Sequence, residues 1–418
     1  MAPQPGSPLR GSNQALLRAH NRRVALDVLR RVGRASRADL ARLTGLTAQA
    51  VANIIEELAA DGLVREVGRR RTRAGQPPVD FELAPDGAFT IGLHLRHDRV
   101  TGVVVDLVGR RLAVADRDFG DPNGPEAPAG LARLAVDLAE QSRVEPRRLW
   151  GVGLAVPGPF DVDAVGIRSE TAMPPWTDGS AVARLREVLA MPVFLENDAT
   201  AAALGERLYG CATAIDDFLF IFIGRGLGAG LFLGGQPVRG AFGNAGELGH
   251  VSVAPAGKPC YCGSHGCLER YVSLHAAYEA CGEGGLAVQS PQALARAYRM
   301  GEPVVHRWLD TAAEHLRRAV QTVENLIDPA TIIVGGDLAE DMLAALAERA
   351  EPLHPSVSAR RDRMLPRLMQ GSSGPAGTAM GAAALPLMHQ VAAPGAQPFG
   401  TGPERAAETR APAPRALP

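Results

Sequence analysis

The chain of 418 residues has almost no lysine: Lys258 stands alone against 43 arginines among 44 basic residues. That imbalance reflects genomic base composition rather than mechanism. No apolar stretch approaches the ~20 residues that a membrane-spanning helix needs. The opening MAPQPGSPLRGSNQALLRAH also lacks the apolar middle segment of a secretory signal. Both absences point away from membrane and export, and a cytoplasmic location is expected. Cysteine is scarce and odd in number, at five. A disulfide framework is therefore not expected, and any cysteine cluster turns toward metal or redox chemistry. The tail 391–418 has almost no apolar bulk and is rich in Pro and Ala, so disorder is expected there.

Net charge is also nearly absent, at -1, but it is unevenly spread. Through Gly75 there are 14 basic and 6 acidic side chains, which leaves +8 there and -9 for the remainder. A head of that charge suits a polyanion. Within it, NRRVALDVLRRVG places Val24, Leu26, Val28 and Leu29 on one helical stripe. Two further helices meet at a turn on Gly45. Ser36 caps the first, with Leu40 and Leu43 inward; Thr47 caps the second, with Val51, Ile54, Ile55 and Leu58 inward. LVREVG, a basic turn and VDFEL then read as a two-stranded wing. This is the plan of a winged helix-turn-helix. Thr47, Gln49, Ala50 and Asn53 fall on the outer face of the second helix, where Gln and Asn suit adenine edges. Arg69, Arg70, Arg71 and Arg73 would meet phosphates or the minor groove. A plain three-helix bundle would share the helical pattern, but the turn glycine, the wing and the charge agree on double-stranded DNA.

From Phe89 three apolar, β-branched runs follow with short polar turns, then a helix near 130–141 and the buried strand LWGVGLAVPGPFD. VFLENDATAAALGERLYG is a strand passing into a helix, and a second set of runs begins at FLFIFIGRGLGAGLFL. A long helix near 304–326 precedes ATIIVGGD. Two α/β halves on one plan enclose a cleft suited to a ligand. The expected organisation is a flexible segment 1–20, a winged helix-turn-helix 21–84, a first α/β lobe 85–200, a second lobe 201–390 and the tail.

Cys260, Cys262 and Cys267 lie on a Gly-rich loop, ten residues after His250 at a strand end. One imidazole and three thiolates make a closed tetrahedral set for structural Zn2+, and Gly263 and Gly266 give the loop its freedom. Cys211 and Cys281 read as small core residues.

These segments together, GELGH (246–250), CYCGSHGCLE (260–269), GVGLAVPGP (151–159) and ENDA (196–199), resemble the ROK family of repressors, open reading frames and kinases. The resemblance spans about 21–387. It implies an actin/hexokinase-like two-lobed ATPase fold behind the winged helix, and a sugar pocket lined by Asn197, Asp198, Glu247, His250 and Glu269 with the Gly158-Pro159 loop nearby. The zinc clamp would hold the Glu269 loop against the His250 strand end. In kinases of the family the Asp of the Asn-Asp pair is the general base, so Asp198 would serve if this chain were a kinase. Their Asp-x-Gly-Gly-Thr phosphate turn corresponds here to His94-Leu95-Arg96-His97-Asp98, and their Gly-Thr-Gly loop to Gly224-Arg225-Gly226. Both lack what a phosphate needs. The expectation is a non-enzymatic, sugar-responsive repressor whose partners are operator DNA and a sugar or sugar-phosphate effector, acting as a homodimer or homotetramer. The alternatives are an ATP-dependent sugar kinase with a regulatory DNA-binding head, and a regulator that answers a protein partner.

Overall fold

The computed structural model describes residues 14–69, 78–160, 173–360 and 362–390. The head opens with α1 (Gln14–Val32), so the helix starts ahead of the expected boundary at residue 21. The short strand β1 (Arg34–Ser36) leads into α2 (Arg37–Thr44), where Ser36 and Asp39 form a reciprocal capping box. Gly45 ends α2 in the left-handed conformation at φ 72°, and Thr47 caps α3 (Ala48–Ala60) through Ala50 N–H at 3.2 Å. Leu40, Val51, Ile54, Ile55 and Leu58 are buried as their spacing demands. Leu43 is not: it is 46% exposed, because the eight-residue α2 turns only its Leu40 position squarely onto the core. The wing strands are β2 (Val64–Arg69) and β3 (Val79–Leu83), paired antiparallel, with β1 on the other side of β3. Arg70, Arg71 and Arg73 lie outside the described residues, as does the segment 391–418 that was expected to be disordered.

The first lobe is a five-stranded sheet of β4 (Phe89–Leu95), β5 (Arg99–Asp106), β6 (Arg111–Asp118), β7 (Leu149–Val156) and β8 (Val193–Asn197), in the order β6-β5-β4-β7-β8. The first three strands form an antiparallel meander, and β7 and β8 add in parallel. The helices α4 (Ala127–Ser142), α5 (Pro174–Thr177) and α6 (Ser180–Leu189) complete it. Next, α7 (Asp198–Tyr209) enters the second sheet, made of β9 (Phe218–Ile223), β10 (Leu227–Leu233), β11 (Gln236–Pro237), β12 (Thr331–Gly336) and β13 (Leu368–Gln370) in the order β11-β10-β9-β12-β13. Its pairing repeats that of the first sheet, a hairpin followed by two parallel strands. All six residues of β9 are buried, as an unbroken apolar run on a central strand requires. The helices α8 (Leu274–Glu283), α9 (Pro291–Arg299), α10 (Pro303–Ile327) and α11 (Glu340–Arg349) cover this lobe.

The last helix, α12 (Gly377–Gln390), returns to the first sheet and also packs along α7. The two helices touch at glycine: a Cβ on Gly205 would collide with the Gly377 carbonyl, and one on Gly381 with the Ala201 carbonyl. Leu387 of α12 reaches into the core of the head, together with Leu107, Val108 and Trp150 of the first lobe. Head and first lobe therefore share one apolar core.

Candidate functional site

The cleft between the sheets holds a cavity of about 630 Å3 whose walls include Gly158, Pro159, Asn197, Asp198, Glu247, His250 and Glu269. Every residue expected at a sugar pocket thus faces the same space. Asn197 ends β8 and caps α7, its Oδ1 accepting from Ala199 N–H at 2.9 Å and Thr200 N–H at 3.3 Å. Its amide nitrogen lies 2.8 Å from where a Cβ on Gly158 would stand, so the Gly-Pro loop approaches Asn197 closely because residue 158 has no side chain. Glu196, buried one residue earlier, is bonded to Arg239 and accepts from Asn197 N–H at 3.1 Å.

The segment carrying Glu247 and His250 lies directly over β10. A Cβ at Gly246 (φ 99°) would strike the Ala229 carbonyl, and one at Gly249 the Leu227 carbonyl, which accounts for both glycines of GELGH. Glu269 is buried and accepts from Leu227 N–H at 2.9 Å. Glu247 is pushed up to about 7 by burial, with the Glu269 charge adding to it. Asp198 is pushed up to about 8, chiefly by desolvation and then by Asp337. The cleft therefore offers protonated carboxyls and amides as well as acceptors, a set suited to vicinal hydroxyls.

His250, Cys260, Cys262 and Cys267 converge, their ligand atoms all within 4.8 Å of one another. His250 Nδ1 stands 3.7 Å from Cys260 Sγ, and Cys262 Sγ 3.6 Å from Cys267 Sγ. A tetrahedral zinc with Zn–S near ~2.3 Å and Zn–N near ~2.1 Å needs edges of about 3.5–3.8 Å, so the donor set fits that ion. Gly263 and Gly266 take φ of 86° and 67°, the conformations the chelating loop required of them. Cys281 is buried and Cys211 partly so, neither near the cluster. Tyr261, which sequence reasoning passed over, sits between two of the cysteines. Its hydroxyl lies 3.0 Å from His250 Nε2, the nitrogen that faces away from the cluster. An aromatic residue inside a chelating loop was the available signal.

On the opposite side of the cleft is the stretch matched to a phosphate turn. His94 is buried, edge-on to Phe222 at 5.9 Å, and burial followed by the Arg96 charge holds it well below the usual imidazole range. Arg96 spans the cleft: it donates to Asp337 of the second lobe at 2.8 Å, to Thr101 at 2.7 Å and to Asp116 at 3.0 Å. That wall of the cleft thus carries a bound guanidinium. Nothing in the local pattern announced this pair, whose members are separated by 241 positions. Arg225 is exposed and lines both the main cavity and a smaller one of about 320 Å3.

In the head, Thr47, Gln49 and Asn53 are exposed and Ala50 is half-buried, so the outer face of α3 is open to a partner. Gln49 Nε2 donates to Asn53 Oδ1 at 2.9 Å, which leaves a second Gln49 N–H, Gln49 Oε1 and the Asn53 N–H groups for a partner. Not all the basic charge is free. Arg18 and Arg22 pair with Glu57, and Arg22 with Asp61. Among the described residues no helix is long and apolar enough to cross a membrane.

The ROK family profile matches residues 90–389, and a winged helix-turn-helix DNA-binding profile matches residues 19–65. The xylose repressor of Bacillus subtilis is 28% identical over 263 residues, 63% of this chain and 68% of that protein. Among solved structures, the ROK hexokinase of Thermus thermophilus superposes with a TM-score of 0.56 at 29% identity, covering 71% of this chain and 96% of that one. A ROK family transcriptional regulator, homolog of the Escherichia coli MLC protein, gives a TM-score of 0.69 at 24% identity over 90% of this chain and 96% of that one. This last is a likeness of fold that includes the head.

Proposed function

The chain belongs to the ROK family, and from that membership we propose that it is a sugar-responsive, DNA-binding transcriptional repressor. One observation carries the choice over a kinase: Arg96 occupies the phosphate turn and is tied to Asp337 across the cleft. A nucleotide would have to break that pair, in a turn that offers neither the glycines nor the hydroxyl of a phosphate cradle. The winged helix and the similarity to a xylose repressor support the DNA side. On this reading Asn197, Asp198, Glu247 and Glu269 bind the hydroxyls of a sugar or sugar phosphate, Gly158 and Pro159 close over it, and His250 stiffens the wall. His250, Cys260, Cys262 and Cys267 would hold a structural Zn2+. That ion would supply rigidity and no chemistry of turnover, fixing the Glu269 loop to the Glu247 segment.

Thr47, Gln49, Ala50 and Asn53 would enter the major groove, with Arg69, Arg70, Arg71 and Arg73 on the backbone or minor groove. Two-fold operators call for a homodimer or homotetramer in the cytoplasm. The test is a mobility-shift titration of DNA upstream of the chain's own gene, with and without a panel of sugars. Sugar-dependent binding is expected; no binding at physiological salt in either arm would overturn the reading.

The retained Asp198 favours a second reading. A carboxyl raised to about 8 beside the sugar space would act as a general base once it has lost its proton. Sugar-dependent ADP release that disappears in Asp198→Asn would establish a kinase with a regulatory head; no turnover on any hexose would remove it.

A further inference from the structure

The two ends of α7 meet the two functional regions of the chain. Its first residue is Asp198 at the cleft; its last, Tyr209, lies about 16 Å away at ~1.5 Å per residue, beside the β5–β6 turn on which the head packs. In the last turn Arg207 is 5% exposed and donates to Thr213 O and to Asp216 Oδ1, both at 2.7 Å. The same Asp216 oxygen is 3.5 Å from Arg31 Nη2, in the last turn of α1 in the head. Beside this joint the Tyr209 ring covers Gly109, in the β5–β6 turn that also contributes Leu107 to the core of the head. The Tyr209 hydroxyl is buried with no hydrogen-bond partner among the described residues. A buried, unmatched hydroxyl costs free energy that a shifted arrangement could recover.

The head is held in two different ways. Leu107, Val108, Trp150 and Leu387 complete its apolar core, so it moves with the first lobe and α12 as packed material does. Toward the second lobe its contacts include two polar ones, the exposed Arg31 to Asp216 and the largely covered Arg23 to Gln236 at 3.2 Å. An exposed pair such as the first exchanges at little cost. Meanwhile α7 and α12, which belong to opposite sides of the cleft, meet backbone to backbone at Gly205, Gly377 and Gly381, and the rest of their contact is mostly alanine, with Leu204 and Leu385 the larger side chains, so a small shear repacks few of them.

We infer that α7 is the lever between the sugar cleft and the DNA-binding head, and that Asp216, shared by Arg207 of the lever and Arg31 of the head, is the residue through which the state of the cleft is read. The inference rests on the repressor reading above. Ligand that alters the angle between the lobes displaces the end of α7 from a head that stays with the first lobe, and the Arg31–Asp216–Arg207 joint is the contact that differs between the two states. Only such a differential contact can transmit a ligand's preference.

The test uses the full-length zinc-loaded protein as wild type, Asp216→Ala and Arg31→Ala. Each is titrated with upstream DNA, alone and with D-xylose, D-glucose or N-acetylglucosamine, and sugar affinity is measured separately by calorimetry. Both variants are expected to bind sugar within about twofold of wild type. The sugar-induced change in operator affinity should shrink by about threefold or more, the scale of one exposed ion pair. Asp216→Glu should restore it. If both variants bind DNA more weakly but keep the full sugar-induced change, the joint is structural only and the inference is overturned. If the wild type itself binds no operator, or none of the sugars alters its binding, the repressor reading has failed instead, and the wild-type arm tells the two failures apart.

Discussion

Replacing Asp198 by Asn should stabilise the protein, and by an amount that depends on pH. Burial and the Asp337 charge raise the Asp198 carboxyl to about 8 from an ordinary 3.8. Its folded form therefore holds a proton that the unfolded form gives up near pH 4. Stability from this group is complete below pH ~4 and is lost as pH rises from about 4 toward 8. At ~1.36 kcal/mol per pH unit the loss at pH 8 has a ceiling of about 5 kcal/mol. Asp198 is only partly buried, and water at the cleft mouth screens it, so about half of that ceiling is the working figure. Asn keeps the oxygen that accepts from Ala199 N–H at 2.8 Å and never ionises. At about 1 °C per kcal/mol for a chain of 418 residues, Asp198→Asn should melt about 2–3 °C higher than wild type at pH 8, with the gain falling steeply by pH 5. Differential scanning calorimetry at both pH values measures it. A neutral or destabilising effect at pH 8, or an equal gain at pH 5, would refute the reasoning. Such a gain would also identify Asp198 as a group kept for function at a cost in stability.

Three further outcomes are expected. Cys262→Ser should lower the bound zinc below one per chain and reduce both the melting temperature and sugar affinity; unchanged metal content and melting would show that the four residues hold no ion. Arg70→Ala with Arg71→Ala should weaken operator binding and reduce the slope of log affinity against log salt by about 0.9 for each phosphate no longer neutralised, and an unchanged slope would remove their phosphate role. Asn53→Ala should cost about 1–3 kcal/mol of discrimination at one base position if its amide reads adenine; uniform weakening across all operator variants would assign it to the backbone instead.

What could be read in advance was local. Ser36, Gly45 and Thr47 announce their caps because capping is decided within three or four residues, and the Cys260 loop announces itself because a chelating loop needs close spacing and glycines. The two α/β halves on one plan followed from period and run length, whereas the parallel pairing of β7 with β8 and of β12 with β13 did not. Leu43 was misjudged because a helix of eight residues defines its inward face poorly. Contacts between distant segments carry no periodic trace. Arg96 meeting Asp337, Leu387 entering the core of the head, and Asp216 standing between Arg31 and Arg207 are products of how the lobes and helices dock. Those docked contacts bridge the two sides of the cleft and join the head to the body.

The proposed repressor binds a sugar in its cleft and does not use a nucleotide. A thermal-shift screen of the zinc-loaded protein against free sugars, sugar phosphates and ATP with magnesium tests this most directly, since a ligand that binds the folded state must raise its melting temperature. A sugar or sugar phosphate should raise the melting temperature, and ATP with magnesium should leave it unchanged. A clear shift with ATP and magnesium would mean that the Arg96–Asp337 pair yields to nucleotide, and would contradict this reading.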